Sequence, residues 1–199
     1  MYLDDYEFEL TLAHNMAHPD EHLYSGRVNI MLHEEEKDPV SCGSVDFEFI
    51  RAHHLEDALY LADVESSDSY LMASEALIDD GGFMRLREID EAVFGLVLIL
   101  HVSVDEDHRG HDLGRRALRF LVQSMRETGR AFLLIPGAPE ERDRLIPYYE
   151  KMGFTVQSES VMAVHSSYLL PQLSDNDAEQ EKLYNKRYKK KSAKRARLN

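Results

Sequence analysis

The sequence predicts an α/β (α+β) domain built on a mixed central β-sheet flanked by helices. Three observations predict it. Residues between Val28 and Phe49 alternate apolar and polar at the period of antiparallel strands. The apolar run Ala92 to Leu100 ends in a charged, Gly-containing turn that opens an amphipathic helix. From that point strand-like and helix-like segments alternate to the end of the apolar sequence.

The first strand reads weakly from Glu7 to Ala13, followed by a polar connection, His14 to Tyr24, interrupted by Pro19. Val28, Ile30 and Leu32 alternate with Asn29, Met31 and His33, then Glu34 to Pro39 supplies a turn. Val45, Phe47 and Phe49 alternate with Asp46 and Glu48, which completes an antiparallel hairpin. Leu55, Ala58, Leu59 and Ala62 fall at i, i+3, i+4 and i+7, one apolar face of a helix, and a second helix is expected over 67–78, stopped by Gly81-Gly82.

The strand Ala92 to Leu100 leads through the turn into a helix whose packing face is Leu113, Ala117, Phe120, Leu121 and Met125, ended by Gly129. Ala131 to Ile135 reads as another strand, Pro136-Gly137-Ala138-Pro139 breaks the chain, and Glu140 to Met152 forms a helix with Leu145, Tyr149 and Met152 on one side. Phe154 to His165 can supply two last strands.

With 199 residues, 43% hydrophobic and 30% charged, the chain can bury one sizeable core. The expected organisation is one domain over 1–170, a linker over 171–181 and a basic tail over 182–199. Nine Lys/Arg and no acid lie in 182–199, leaving 14 basic against 37 acidic residues in 1–181. So acidic a body favours cationic ligands, whereas the tail has the composition of a hook for nucleic acid or an acidic protein, or of a segment that folds back on its own body. The longest apolar run is far below the ~20 residues that span a bilayer, and the acidic N-terminus lacks a signal-peptide pattern. A cytoplasmic protein with no membrane partner is expected. Cys42 is alone, which excludes an intrachain disulfide and agrees with a reducing compartment.

The turn after Leu100 has the chemistry of an anion site. Gly110 and Gly114 allow close backbone approach, unpaired N–H groups at the helix start point outward, and the helix dipole adds partial positive charge. Arg109, Arg115 and Arg116 can add charge-assisted hydrogen bonds to a pyrophosphate.

Arg109-Gly110-His111-Asp112-Leu113-Gly114 resembles the Arg/Gln-x-x-Gly-x-Gly/Ala loop of the GNAT family of N-acetyltransferases, and Tyr149-Glu150-Lys151-Met152-Gly153-Phe154 resembles its Tyr-Glu-Lys-x-Gly-Phe signature. Asp112 departs from the pattern by placing a carboxylate where the family has Gly. The likeness is specific from about Ala92 to Phe154, and beyond it rests on the order of elements. It implies a GNAT-like fold with remodelled helices on the substrate side, and acetyl-CoA as acyl donor. Arg109, Gly110, His111, Asp112, Gly114 and Arg115 would bind the cofactor, with backbone groups around Val102 to Val104 holding pantetheine and polarising the thioester. The resemblance gives Val102 and Val104 as cofactor-binding and Tyr149 as the general acid for the departing thiolate. Tyr148 is the alternative phenol, since adjacent helix residues point about 100° apart. Without the motif Tyr149 would read as a packed aromatic.

An amine attacks a thioester only when neutral, although a lysine-like amine has a pKa near ~10.4. A base must take its proton. His101, Asp105, Glu106 and His108 are the candidates near the end of the strand, and the residues do not choose among them. Asp63, Glu65 and Asp68 could recognise a cation beside the substrate groove or form a solvated helix face. His14, His18 and His22 have helical spacing for zinc, but Pro19 breaks the helix, and no metal is expected.

The function expected is acetyl-CoA-dependent transfer to an amine of a cationic small molecule or protein. The alternative is a non-catalytic binding or regulatory module attached to nucleic acid or a macromolecular partner by the tail. A homodimer is expected only as a general prior.

Overall fold

The computed structural model describes residues 5–14, 22–33, 37–87, 89, 91–125 and 130–166. The linker and tail expected over 171–199, and His18 with most of the connection around it, lie outside the described residues.

Elements run β1 (Tyr6–His14), β2 (Leu23–Leu32), β3 (Val40–Ile50), α1 (Leu55–Glu65), α2 (Ser67–Ala76), β4 (Leu77–Asp80), β5 (Phe83–Leu86), β6 (Gly95–Val104), α3 (Leu113–Ser124), β7 (Arg130–Leu134), α4 (Arg142–Glu150), β8 (Thr155–Val156) and β9 (Met162–His165). Seven of the strands form one sheet in the order β1-β2-β3-β6-β7-β9-β8. β6 and β7 make the one parallel pair among them, and the remaining neighbours are antiparallel. The sheet is therefore mixed, as expected.

The period-two pattern of β2 and β3 sends alternate side chains to opposite faces. Val28, Ile30, Val45 and Phe47 pack under α3, whose Leu113, Ala117, Leu121 and Val122 are buried against them. Ile50, Leu96 and Leu98 pack on the other face, against Ala58 and Ala62 of α1 and Met72 and Ala73 of α2. Each fully buried large apolar side chain contributes about 1.5–3 kcal/mol relative to exposure.

The sequence places a helix stop at Gly81-Gly82, but the structure puts a β-hairpin there. α2 ends at Ala76, and Leu77–Asp80 pairs with Phe83–Leu86 across the glycine pair. Gly81 and Gly82 have φ of 65° and 90°, the left-handed pair that a two-residue hairpin turn requires, and the Asp79 carboxylate accepts from the Gly82 N–H at 2.9 Å. β6 also runs four residues past Leu100, to Val104.

That extension creates the feature that positions the site. The β6–β7 ladder stops at Ile99 opposite Leu134, because Pro136 cannot continue a ladder. β6 beyond Ile99 pairs with β3 alone. Its register against β3 slips once: Ile99 faces Phe47, but His101 faces Asp46, so Leu100 is an inserted bulge residue. The bulge reverses side-chain parity. Val102 and Val104 join the α3 side of the sheet, and His101 and Ser103 lie on the α1/α2 side with their partners Asp46 and Ser44.

Candidate active site

The site lies where the open edge of β6 meets the start of α3. The Asp105 N–H donates to the Cys42 carbonyl at 2.9 Å, toward β3. By antiparallel alternation the backbone groups of Val102 and Val104 turn the other way, toward the edge that β7 has left. The Val104 carbonyl follows that rule: it accepts from Arg109 Nε at 3.0 Å. Val102 and Val104 are thus placed with N–H groups toward the cleft.

The loop between β6 and α3 makes a short 3-10 turn over Glu106–His108, then Gly110 at φ 84° and Asp112 at φ 62°, ψ 21°. Asp112 is the described non-glycine residue with positive φ, at the position where the family pattern has Gly. Aspartate tolerates this left-handed state better than most residues, so the loop keeps its course. The Asp112 carboxylate forms an ion pair with Arg115, one turn along α3. Burial raises its pKa and the Arg115 guanidinium opposes that rise.

Asp112 offers no side-chain cap, and the first intrahelical bond is Arg116 N–H to the Asp112 carbonyl at 3.1 Å. By helix geometry the N–H groups of Leu113, Gly114 and Arg115 have no carbonyl one turn earlier to bond. A helix start of this kind suits an anion. His111 is exposed at the rim beside Tyr6, with ring centroids 6.4 Å apart, and His108 Nδ1 lies 3.1 Å from the Tyr6 hydroxyl.

Gly114 stands where three elements converge. A Cβ there would lie 3.5 Å from the Tyr148 hydroxyl, 3.5 Å from a Val102 methyl and 3.8 Å from one of Val104. Its missing side chain leaves a slot between α3, β6 and α4.

The Tyr-Glu-Lys-x-Gly-Phe signature is, in this fold, the end of α4. Gly153 takes φ 92°, its N–H bonds the Glu150 carbonyl at 2.9 Å, and the Phe154 N–H bonds the Tyr149 carbonyl at 3.2 Å. These are the two bonds of a Schellman cap. The cap fixes how the preceding tyrosines point. Tyr149 is buried, its ring edge-on to Phe154 at 5.9 Å and to Tyr148 at 5.2 Å. Tyr148 is the phenol that the structure brings to the loop. Burial raises the pKa of both, helped by the Asp112 charge at Tyr148 and by Glu141 at Tyr149, so both hold their protons at neutral pH.

Of the expected bases, His101 is exposed on the α1/α2 side, and Asp105 and Glu106 are exposed at the start of the loop. Two carboxylates that the sequence did not mark as a pair do meet on that side. Glu48 of β3 is 4% exposed and bonded to Glu65 at the end of α1 and to Ser25 of β2. Among the described residues no group of His, Cys, Asp and Glu could hold a metal ion, and no helix is long and apolar enough to cross a membrane.

Residues 65–156, from the end of α1 to β8, match the family model described as an acetyltransferase (GNAT) domain. Over that stretch, 92 of the 199 residues, the chain is similar to a GNAT acetyltransferase domain. The matched stretch takes in the loop before α3, the start of α3 with Gly114, and the end of α4.

No curated protein matches the chain in sequence. Among solved structures it is similar to a mutant of the toxin AtaT bound to the C-terminus of the antitoxin AtaR and acetyl-CoA, at 9% identity over 83% of this chain and 96% of that chain, with a TM-score of 0.46. It is similar to Arabidopsis thaliana NAA60 in complex with a bisubstrate analogue, at 13% identity over 79% of this chain and 98% of that one, with a TM-score of 0.39. A chain of the KacTA–DNA complex is similar at 9% identity, over 84% and 99% of the two chains, with a TM-score of 0.42.

Proposed function

We propose that this protein is an acetyltransferase that moves the acetyl group of acetyl-CoA directly to an amine of a cationic small molecule or protein, with both substrates bound together. The observation that supports this best is the open edge of β6, Leu100 to Val104, ending at an uncapped helix start. Arg109 and the N–H groups of Gly114 and Arg115 would take the pyrophosphate. The Val102 and Val104 N–H groups would hold pantetheine and polarise the thioester carbonyl, a backbone oxyanion hole that needs no side chain.

Tyr149, at the motif position, would give its proton to the departing thiolate. Tyr148 is the competing phenol, favoured by its closeness to Gly114. The acidic body, 37 acidic residues against 14 basic ones in 1–181, draws a cationic acceptor. The tail over 182–199 would bind nucleic acid or an acidic protein and so bring the domain to its acceptor. A non-catalytic module attached by the tail is the alternative.

The test is turnover. Full-length protein is incubated with acetyl-CoA and a panel of amines, and released CoA and acetylated product are both measured. The proposal expects stoichiometric product, with turnover reduced in Tyr149→Phe at unchanged cofactor affinity. A binding module is indifferent to that change, and absence of product across small amines, peptides and proteins contradicts the enzyme reading.

A further inference from the structure

β1 is the long outer edge of the sheet. It runs for nine residues, Tyr6–His14, stands first in the strand order and is paired with β2 on one side. The opposite edge, β8, is two residues long. Among the described residues no strand lies beyond β1.

One hydrogen bond fixes the direction of its backbone. The His33 N–H donates to the Asp5 carbonyl at 2.8 Å, so Asp5 turns toward β2. The ladder continues from Tyr6 opposite Leu32 to His14 opposite Tyr24 without a register shift. By antiparallel alternation Glu7, Glu9, Thr11 and Ala13 also turn toward β2, and Phe8, Leu10 and Leu12 direct their N–H and C=O groups away from the sheet. Long edges are ordinarily blunted by proline, lysine or a bulge. β1 has none of the three.

The side chains divide in the same way. Phe8 and Leu10 are half-buried on the α3 side, with the Phe8 ring stacked on Phe120 at 5.9 Å. Leu12 continues that row and is 45% exposed. Glu7, Glu9, Thr11 and Ala13 stand exposed on the other face.

We infer that β1 is a dimer interface, pairing antiparallel with β1 of a second copy about a two-fold axis at Leu10, so that the two sheets join into one. Charge selects both the occupant and the register. With the axis at Leu10, Phe8 meets the partner's Leu12, Glu9 meets the partner's Thr11 and Glu7 meets the partner's Ala13. Outward N–H groups then face outward carbonyls, the exposed Leu12 gains an aromatic neighbour, and no carboxylate opposes another. An axis at Glu9 sets Glu9 against its own copy, and an axis at Phe8 sets Glu7 against the partner's Glu9. Like charges directly opposite destabilise a strand pair. An axis at Thr11 or beyond leaves the start of β1 without a partner strand. β1 is therefore complementary to itself in one register, which is what an isologous contact requires. The seam ends beside the loop before α3, where the Tyr6 hydroxyl lies 3.1 Å from His108 Nδ1.

The experiment measures the mass of the full chain by sedimentation over a range of concentrations and maps the register with cysteines. The wild type is expected to dimerise. Leu10→Pro removes an N–H that points away from β2, at an edge position where proline is tolerated, so it should keep the wild-type circular dichroism and be monomeric. Glu9→Cys/Thr11→Cys places non-hydrogen-bonded positions of the two copies at a Cα separation of about 4.5 Å, within disulfide range, and should give a covalent dimer on mild oxidation. Glu7→Cys/Glu9→Cys, which is out of register, should not. If Leu10→Pro does not fold, the two cysteine variants decide alone. A monomeric wild type, which would leave the edge to another segment of this chain or to a different protein, overturns the inference. So does a dimer that Leu10→Pro retains, or equal cross-linking in the two cysteine variants.

Discussion

The Asp112 carboxylate is ion-paired with Arg115 across the first turn of α3, at the helix start expected to receive the pyrophosphate. Arg115 is thereby partly neutralised, and a negative charge stands where the ligand is negative. Asp112→Asn keeps a side chain that tolerates positive φ and releases the guanidinium. It should tighten acetyl-CoA by several-fold in calorimetry, whereas Asp112→Ala adds backbone strain of about 1 kcal/mol and should lower the melting temperature.

Gly114 leaves a slot whose walls are the Tyr148 hydroxyl and the Val102 and Val104 methyls. The walls lie at ordinary contact distance from an added Cβ, so Gly114→Ala should fold and bind nearly as wild type. A longer side chain must occupy the slot itself. Gly114→Leu should abolish acetyl-CoA binding while circular dichroism still reports a folded sheet.

The two phenols of α4 should separate kinetically. Loss of a general acid costs about 10²–10⁴ in turnover, so Tyr149→Phe should lower kcat with KM for acetyl-CoA unchanged. Tyr148→Phe, beside the cradle, should act mainly on KM. Reversal of the two patterns would transfer the acid role to Tyr148.

The sequence showed the strands that alternate over a half-buried face, β2 and β3, and the helix with a broad apolar stripe, α3. It also marked the turn before α3 and the end of α4, through the motifs that resemble the family's. It did not show the β4–β5 hairpin, since Gly81-Gly82 punctuates a helix end and a hairpin equally well. The continuation of β6 was hidden because His101 and Ser103 read as polar loop, and the bulge at Leu100 leaves no compositional trace. Glu48 was hidden more deeply. In Val45-Asp46-Phe47-Glu48-Phe49 it occupies a solvent position of the alternation, and Glu65 read as part of a solvated helix charge run. Only the packing of α1 over β3 buries Glu48 and brings it to the half-buried Glu65.

Stability should depend on pH at two buried groups, in opposite directions. Glu48 has a folded-state pKa raised from 4.5 to about 8. Between those values the folded chain keeps a proton that the unfolded chain has released, so this contribution falls as pH rises through the window. Glu48→Gln should then melt at a higher temperature than wild type at pH 8 and show a flatter profile. His165 is 3% exposed, with Nδ1 3.0 Å from Glu91, and burial lowers its pKa below 6.5 despite that carboxylate. The unfolded chain therefore binds the proton first as pH falls below 6.5, and stability drops with acid. His165→Asn should remove that acid-side loss, read as melting temperature against pH.

The most direct measurement of the central claim is a calorimetric titration of the full chain with acetyl-CoA and with desacetyl-CoA, alongside Arg109→Ala and Gly114→Glu. Saturable binding in the micromolar range, weakened by Arg109→Ala and lost in Gly114→Glu, is the result predicted by a cofactor cradle formed from the α3 start and the open edge of β6. No saturable heat from the wild-type protein, or binding that both variants retain, would contradict it.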